Sequence, residues 1–165
     1  NKIAYISLFT AAAIAIFAVE SFIPVSVYGI RIGLANIFII LTLIIFGVKE
    51  AFIIGILKSV MGSLILGRLF TPSFIFSISG TVVSIYFMYL FMKYVKQLSL
   101  VGISIIGAEI HIITQLFIAT YIFFPSSSLI YLLPPFVLLS LLNGGFIGLV
   151  AYWLYSRSVN RFEAA

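Results

Sequence analysis

The polar residues that fall inside long apolar stretches are those most able to do chemistry in this chain. Lys58 lies near the middle of one stretch, and Asn143 lies in the last. His111 and Gln115 are four residues apart in another, so a helix would place them on one face. Because polar groups are expensive to bury in hydrocarbon, these residues are the first candidates for a functional site.

Four more polar residues fall towards the ends of the apolar stretches, at the ends that we predict to face the outside of the cell. We expect these and the buried polar residues to line a pocket that opens outwards. Its three basic residues favour a ligand with an anionic or strongly hydrogen-bond-accepting group. The predicted substrate-binding residues are Glu20, Arg31, Asn36, Lys58, Arg68, His111, Gln115 and Asn143.

Each of these residues also has a purely structural interpretation. Arg31 and Arg68 could extend to water at the interface, and Glu20 could mark the end of a helix. The imidazole and amide side chains could equally hydrogen-bond neighbouring helices.

Lys58 requires a partner, because an unpaired ammonium near mid-bilayer costs at least about 2.5–3.5 kcal/mol. Glu109 is the only acid expected at a similar depth. It is two residues from His111, about 200° around a helix, so both cannot face one pocket. We predict an ion pair between Lys58 and Glu109, with His111 directed towards the ligand.

The elements that must position these residues are membrane helices. Hydrophobic residues make up 64% of the 165 residues, and a spanning helix needs about 20 apolar residues in succession. The predicted fold is an all-α membrane protein, a six-transmembrane-helix bundle forming one substrate-binding domain over 1–165. The predicted spans are 3–24, 33–48, 51–67, 72–94, 98–124 and 129–156.

The basic residues predict the orientation of the bundle. Cytoplasmic loops carry an excess of Lys and Arg, which is satisfied if both termini are cytoplasmic. Only Arg31 and Arg68 then lie outside. The basic residues expected inside are Lys2, Lys49, Lys93, Lys96, Arg157 and Arg161.

Composition argues against several activities. The chain has no cysteine, one histidine and four acids, all glutamates on separate segments. That set does not assemble a common zinc or iron site, a hydrolytic triad or a carboxylate cluster for magnesium. No phosphate-binding glycine loop is present, and the basic residues at helix ends do not indicate nucleic acid. We expect no enzyme activity, metal or cofactor.

Small residues at helical spacing predict close helix packing. The last span carries Ser140, Gly144 and Gly148, and the first carries a series that includes Ala11 and Ala15. Such a series most often packs within the chain. On the first helix it could instead contact a partner subunit.

Two stretches resemble a known family. Residues 20–24 read ESFIP and residues 29–36 read GIRIGLAN. The chain resembles heptaprenyl diphosphate synthase component I, also called the Gx transporter family. That family is similar to the S components of energy-coupling factor (ECF) transporters. The resemblance continues through 47–50, 62–63, 74–80 and 100–102.

The resemblance implies a substrate-binding S component of an ECF-type ABC uptake transporter in a prokaryotic plasma membrane. Such a protein captures a vitamin-like or isoprenoid/quinone-precursor micronutrient from outside. It would act with a transmembrane T subunit, contacted through Ala11 and Ala15, and two cytoplasmic ATPase subunits. The alternatives are a membrane accessory subunit of a polyprenyl diphosphate synthase and a structural or assembly protein of a membrane redox complex.

Overall fold

The computed structural model describes residues 2–21, 33–123, 131 and 133–163, and in this part of the chain helices are joined by short turns, with no strand. The prediction of an all-α fold is confirmed, and the described residues contain six α-helices; that the third of them crosses the membrane, as predicted for 51–67, stays a prediction. A short π-helix, Ala119–Phe123, continues the fifth helix. The α-helices are α1 Lys2–Glu20, α2 Asn36–Ile45, α3 Val48–Ile65, α4 Pro72–Tyr94, α5 Leu100–Ile118 and α6 Leu133–Glu163.

Four helices are long and apolar enough to cross a membrane: α1, α4, α5 with its π-helical extension, and α6. Together they define a multi-pass membrane protein. The predicted span at 33–48 is different, because α2 has only 10 residues. Ten residues rise about 15 Å, half of the hydrocarbon thickness of about 30 Å. The prediction of a full second span is therefore corrected to a short helix.

The boundaries of α2 depend on tertiary contacts and on backbone conformation rather than on hydropathy. Gly33 precedes α2 with φ +86°, and Gly47 follows it with φ +106°. Both values lie in the region that favours glycine. Beginning at Asn36 and ending before Gly47, α2 is enclosed by α1, α3, α4 and α6. It is accordingly apolar on all sides, as expected for a buried helix.

Small residues bring α3 and α4 together. A Cβ at Gly55 would lie 2.7 Å from Thr81 Cγ2, and the hydroxyls of Ser59 and Ser77 are 3.4 Å apart. Residue numbers rise along α3 as they fall along α4, so the two helices are antiparallel.

The two glycines of the small-residue series predicted in the last span, Gly144 and Gly148, pack against α5. A Cβ at Gly144 would lie 2.9 Å from Ile105 Cα, and one at Gly148 would lie 2.8 Å from Val101 Cα. The backbones approach this closely only because neither position has a side chain. The direction of numbering again makes the pair antiparallel.

The antiparallel order gathers most of the described basic residues at one end of the bundle. There the Lys2 ammonium contacts the Glu50 carboxylate at 2.5 Å, joining the starts of α1 and α3. Arg68 lies in the turn between α3 and α4, at the opposite end. The described basic residues at the first end are Lys2, Lys49, Lys93, Lys96 and Arg157.

Candidate functional site

Glu20 forms a cap for the buried start of α2. Its carboxylate accepts hydrogen bonds from the backbone N–H groups of Leu34, at 2.5 Å, and Ala35, at 3.5 Å. The helix dipole places partial positive charge at that position, so a carboxylate is favoured there. The side chain is only 7% exposed. Glu20 therefore both ends α1 and fixes where α2 begins.

Lys58 has a different partner from the one we predicted. Its ammonium donates to Asn36 Oδ1 at 2.8 Å and to Thr81 Oγ1 at 3.4 Å. It also lies 5.8 Å from the centre of the Phe17 ring. The ammonium thus joins α3 to α2 and α4 while remaining 2% exposed.

The predicted ion pair between Lys58 and Glu109 is not formed. Among the described residues, Glu109 Oε1 has no hydrogen-bond partner. The reason is the arrangement of the helices: α3 packs mainly on α1, α2 and α4, whereas α5 packs mainly on α4 and α6. Similar depth along two helices does not bring their side chains together.

His111 and Gln115 share a face of α5, as their spacing predicts. Gln115 Nε2 lies 2.8 Å from His111 Nε2, and both side chains are buried. An amide nitrogen can only donate, so the hydrogen bond places the proton of a neutral imidazole on Nδ1. Within the described part of the chain, His111 Nδ1 and Gln115 Oε1 have no hydrogen-bond partner.

The His111 ring fits against α4 because residue 80 is glycine. A Cβ at Gly80 would lie 3.1 Å from His111 Cε1, Nδ1 and the backbone oxygen. These contacts are tighter than ordinary van der Waals contact. Gly80 therefore determines how deeply the imidazole sits between α4 and α5.

Two cavities meet at Asn36 and His111, which line both. The smaller, with about 300 Å³ of empty space, contains most of the predicted polar residues. Its other lining residues are Phe17, Glu20, Gly33, Lys58, Ser77 and Gln115.

The larger cavity lies between α2, α4, α5 and α6 and has about 760 Å³ of empty space, counted out to its open side. Its wall is mainly apolar, with side chains such as Ile39, Met88 and Phe136. Asn143 joins Asn36 and His111 there. A mostly apolar cavity with a few polar groups is typical of small-molecule sites.

The predicted site residues therefore have different outcomes. The structure brings Glu20, Asn36, Lys58, His111, Gln115 and Asn143 to the two adjoining cavities. Arg68 is exposed and lines neither cavity. Arg31 lies outside the described residues.

Sequence reasoning missed several residues of the larger cavity. Ser84, Ser104 and Ser140 line it, and the serines at 84 and 140 have the spacing expected of packing residues. Their hydroxyls donate to Thr81 O at 3.0 Å and Val137 O at 2.9 Å. Hydroxyls bonded within their own helix are common in membrane helices, so nothing in the sequence distinguishes a cavity serine from a packing serine.

On α1, Ala11 and Ala15 are exposed, whereas Ala13 between them is buried. The predicted small-residue face therefore points away from the bundle at these two positions. Its contact with a partner subunit stays a prediction.

The fold and the cavities define a multi-pass helical membrane protein with a mixed polar and apolar interior. A family model for heptaprenyl diphosphate synthase component I matches residues 9–154. The chain belongs to that family. No curated protein and no solved structure matches it.

Proposed function

We propose that the protein is the substrate-binding S component of an ECF-type ABC uptake transporter. It captures a vitamin-like or isoprenoid/quinone-precursor micronutrient from outside a prokaryotic cell. In this role it has no enzyme activity of its own, and its termini lie in the cytoplasm. The proposal builds on the resemblance between this family and ECF S components.

The observation that carries the proposal is the larger cavity. Asn36 from α2, His111 from α5 and Asn143 from α6 come from distant parts of the sequence and line one hollow. Helix-joining polar residues would not require such a hollow. A substrate-capture protein does, because its ligand must be surrounded before it is moved.

The exposed face of α1 supports a partner subunit in the membrane. Ala11 and Ala15 offer a smooth surface against which a second helix can pack closely. In the proposed complex this surface contacts the transmembrane T subunit, which couples the chain to two cytoplasmic ATPases.

The test is isolation of the tagged chain from native membranes, followed by identification of stable partners. We expect a T subunit and two ATPases to co-purify. The double substitution Ala11→Leu and Ala15→Leu should remove them, because two added side chains prevent close helix approach. Leu138→Phe, at an exposed position of α6, is the control and should leave the complex intact. The proposal would be contradicted if no transport subunit co-purified with the unmodified chain. It would also be contradicted if the double variant kept all of its partners.

The description of the family supports a second candidate, a membrane accessory subunit of a polyprenyl diphosphate synthase. In this case the same purification yields a soluble catalytic chain instead of transport subunits. Adding the membrane chain to that enzyme should then change its rate or product length. No such change is expected of an S component.

A further inference from the structure

The larger cavity has a wall of uncharged side chains. Its described lining contains serines, asparagines, one histidine and apolar residues, but no lysine, arginine or acid. An anionic group taken into it would lose water without gaining a countercharge, which is strongly unfavourable. The sequence-based expectation of an anionic ligand depended on three basic residues, of which Lys58 and Arg68 do not line this cavity.

The two charged groups of the adjoining smaller cavity already have partners. Lys58 donates to Asn36 Oδ1 at 2.8 Å, and Glu20 accepts from the start of α2. Both line the smaller cavity instead. Asn36, which accepts from the ammonium, lines both cavities and so lies at their boundary.

Asn36 presents a hydrogen-bond donor at that boundary. An ammonium has no acceptor, so the amide oxygen must face Lys58 and the amide nitrogen must face away. Asn36 Nδ2 would lie 2.8 Å from a Cβ at Gly33, a residue of the smaller cavity, while Asn36 itself lines both cavities. The amide nitrogen has no acceptor within the residues that the structure describes. A ligand carbonyl or hydroxyl oxygen could accept from it.

The larger cavity is elongated along the helices. Its lining runs from Phe136 to Ile147 on α6, which is about 16 Å at 1.5 Å per residue. One of its lining residues, Leu139, is 49% exposed. Leu142, three residues further along α6, is also exposed, so the surface of α6 beside the cavity is apolar.

We infer that the ligand of the larger cavity is an uncharged, elongated and largely apolar molecule with a hydrogen-bond acceptor that meets Asn36. Phosphorylated or otherwise anionic forms of the same skeleton are excluded. This inference rests on the proposed capture function and specifies its substrate class.

The experiment measures thermal stabilisation and affinity for the full chain in lipid nanodiscs, using pairs of compounds that differ in charge. One pair is 2-methyl-1,4-naphthoquinone and 1,4-naphthoquinone-2-sulfonate. The other is farnesol and farnesyl diphosphate. The chain has no cysteine, so thiol addition to the quinones does not interfere. We expect a neutral member to bind and its anionic partner to bind at least tenfold more weakly.

The matched variants are Asn36→Asp and Gln97→Asp. Asn36→Asp keeps an oxygen for Lys58, removes the donor and adds a negative charge at the cavity wall. We expect a loss of at least tenfold in affinity for the neutral compound, with the unliganded melting temperature retained. Gln97 is exposed between α4 and α5, so the same change there should have no effect.

Equal or tighter binding of an anionic member, or binding of neither neutral compound, overturns the inference. Unchanged affinity in Asn36→Asp does so too. These outcomes are separate from failure of the proposed function, which is judged by transport partners. If the chain recruited a T subunit and ATPases but preferred farnesyl diphosphate, the proposed function would stand and the inferred class of ligand would be wrong.

Discussion

The ammonium of Lys58 donates to the amide oxygen of Asn36 across 2.8 Å. This hydrogen bond joins the middle of α3 to the first residue of α2. It also sets the direction of the Asn36 amide, because the oxygen faces the ammonium and the nitrogen faces away from it. One contact therefore serves both the packing of the bundle and the chemistry of the cavity.

Removing either partner should destabilise the protein, because the other is left buried without its hydrogen bond. We expect Asn36→Leu and Lys58→Met each to lower the free energy of unfolding by about 1–3 kcal/mol. The double variant should lose clearly less than the sum. Reversible unfolding in bicelles gives the coupling energy. The control cycle pairs Lys58→Met with Glu109→Leu, and there the changes in the free energy of unfolding should add. If the control cycle showed coupling and the first cycle did not, the ion pair predicted from sequence would be supported instead.

Glu20→Gln should destabilise the start of α2. The substitution removes a negative charge from a buried helix N-terminus, an interaction that contributes up to about 2 kcal/mol in partly buried geometries. The measurement is the free energy of unfolding in bicelles. Glu50→Gln is the control, since Glu50 contacts the half-exposed Lys2 at the bundle end. A loss in the control equal to that of Glu20→Gln would contradict the capping role.

Gly80→Ala should displace the imidazole of His111. The added Cβ would lie 3.1 Å from two ring atoms, so the ring must move by a few tenths of an ångström. His111 is the only histidine, and its imidazole resonances can be followed by NMR without assignment. Gly145→Ala is the control, because a Cβ there meets nothing within 4 Å. We expect a clear shift for the first variant and none for the second.

Gly148→Ala should separate α5 from α6. The new Cβ would lie 2.8 Å from Val101 Cα, and backbone cannot move aside as a flexible side chain can. Overpacking of this kind costs about 1–3 kcal/mol. Unfolding measurements should show that loss, whereas Gly145→Ala on the same helix should be neutral or slightly stabilising because alanine favours a helix. Equal stability of the two variants would argue against close approach at 148.

The sequence predicts the parts of this structure that follow from periodicity and composition. Six helices follow from the apolar blocks, and the shared face of His111 and Gln115 follows from their four-residue spacing. The packing of Gly144 and Gly148 follows from the small-residue rule. These features depend on local pattern alone.

Features that depend on which helices are neighbours could not be predicted. Charge and depth are readable in a sequence and predict a pair between Lys58 and Glu109, whereas the α2–α3 contact that supplies Asn36 is not readable there. The length of α2 was overestimated for a related reason. Hydropathy continues beyond the helix, whereas the start of the helix depends on the Glu20 carboxylate, which accepts from the N–H of Leu34, 14 residues further along the chain.

The uneven ends of the bundle have a consequence for the surrounding lipid. Five described cations, Lys2, Lys49, Lys93, Lys96 and Arg157, lie at one end, where Glu50 is bonded to Lys2. Each cation near a negatively charged headgroup layer contributes about 1 kcal/mol of attraction. Phosphatidylglycerol or a similar acidic lipid should therefore gather around that rim, and a bilayer made only of zwitterionic lipid would hold the protein less firmly upright.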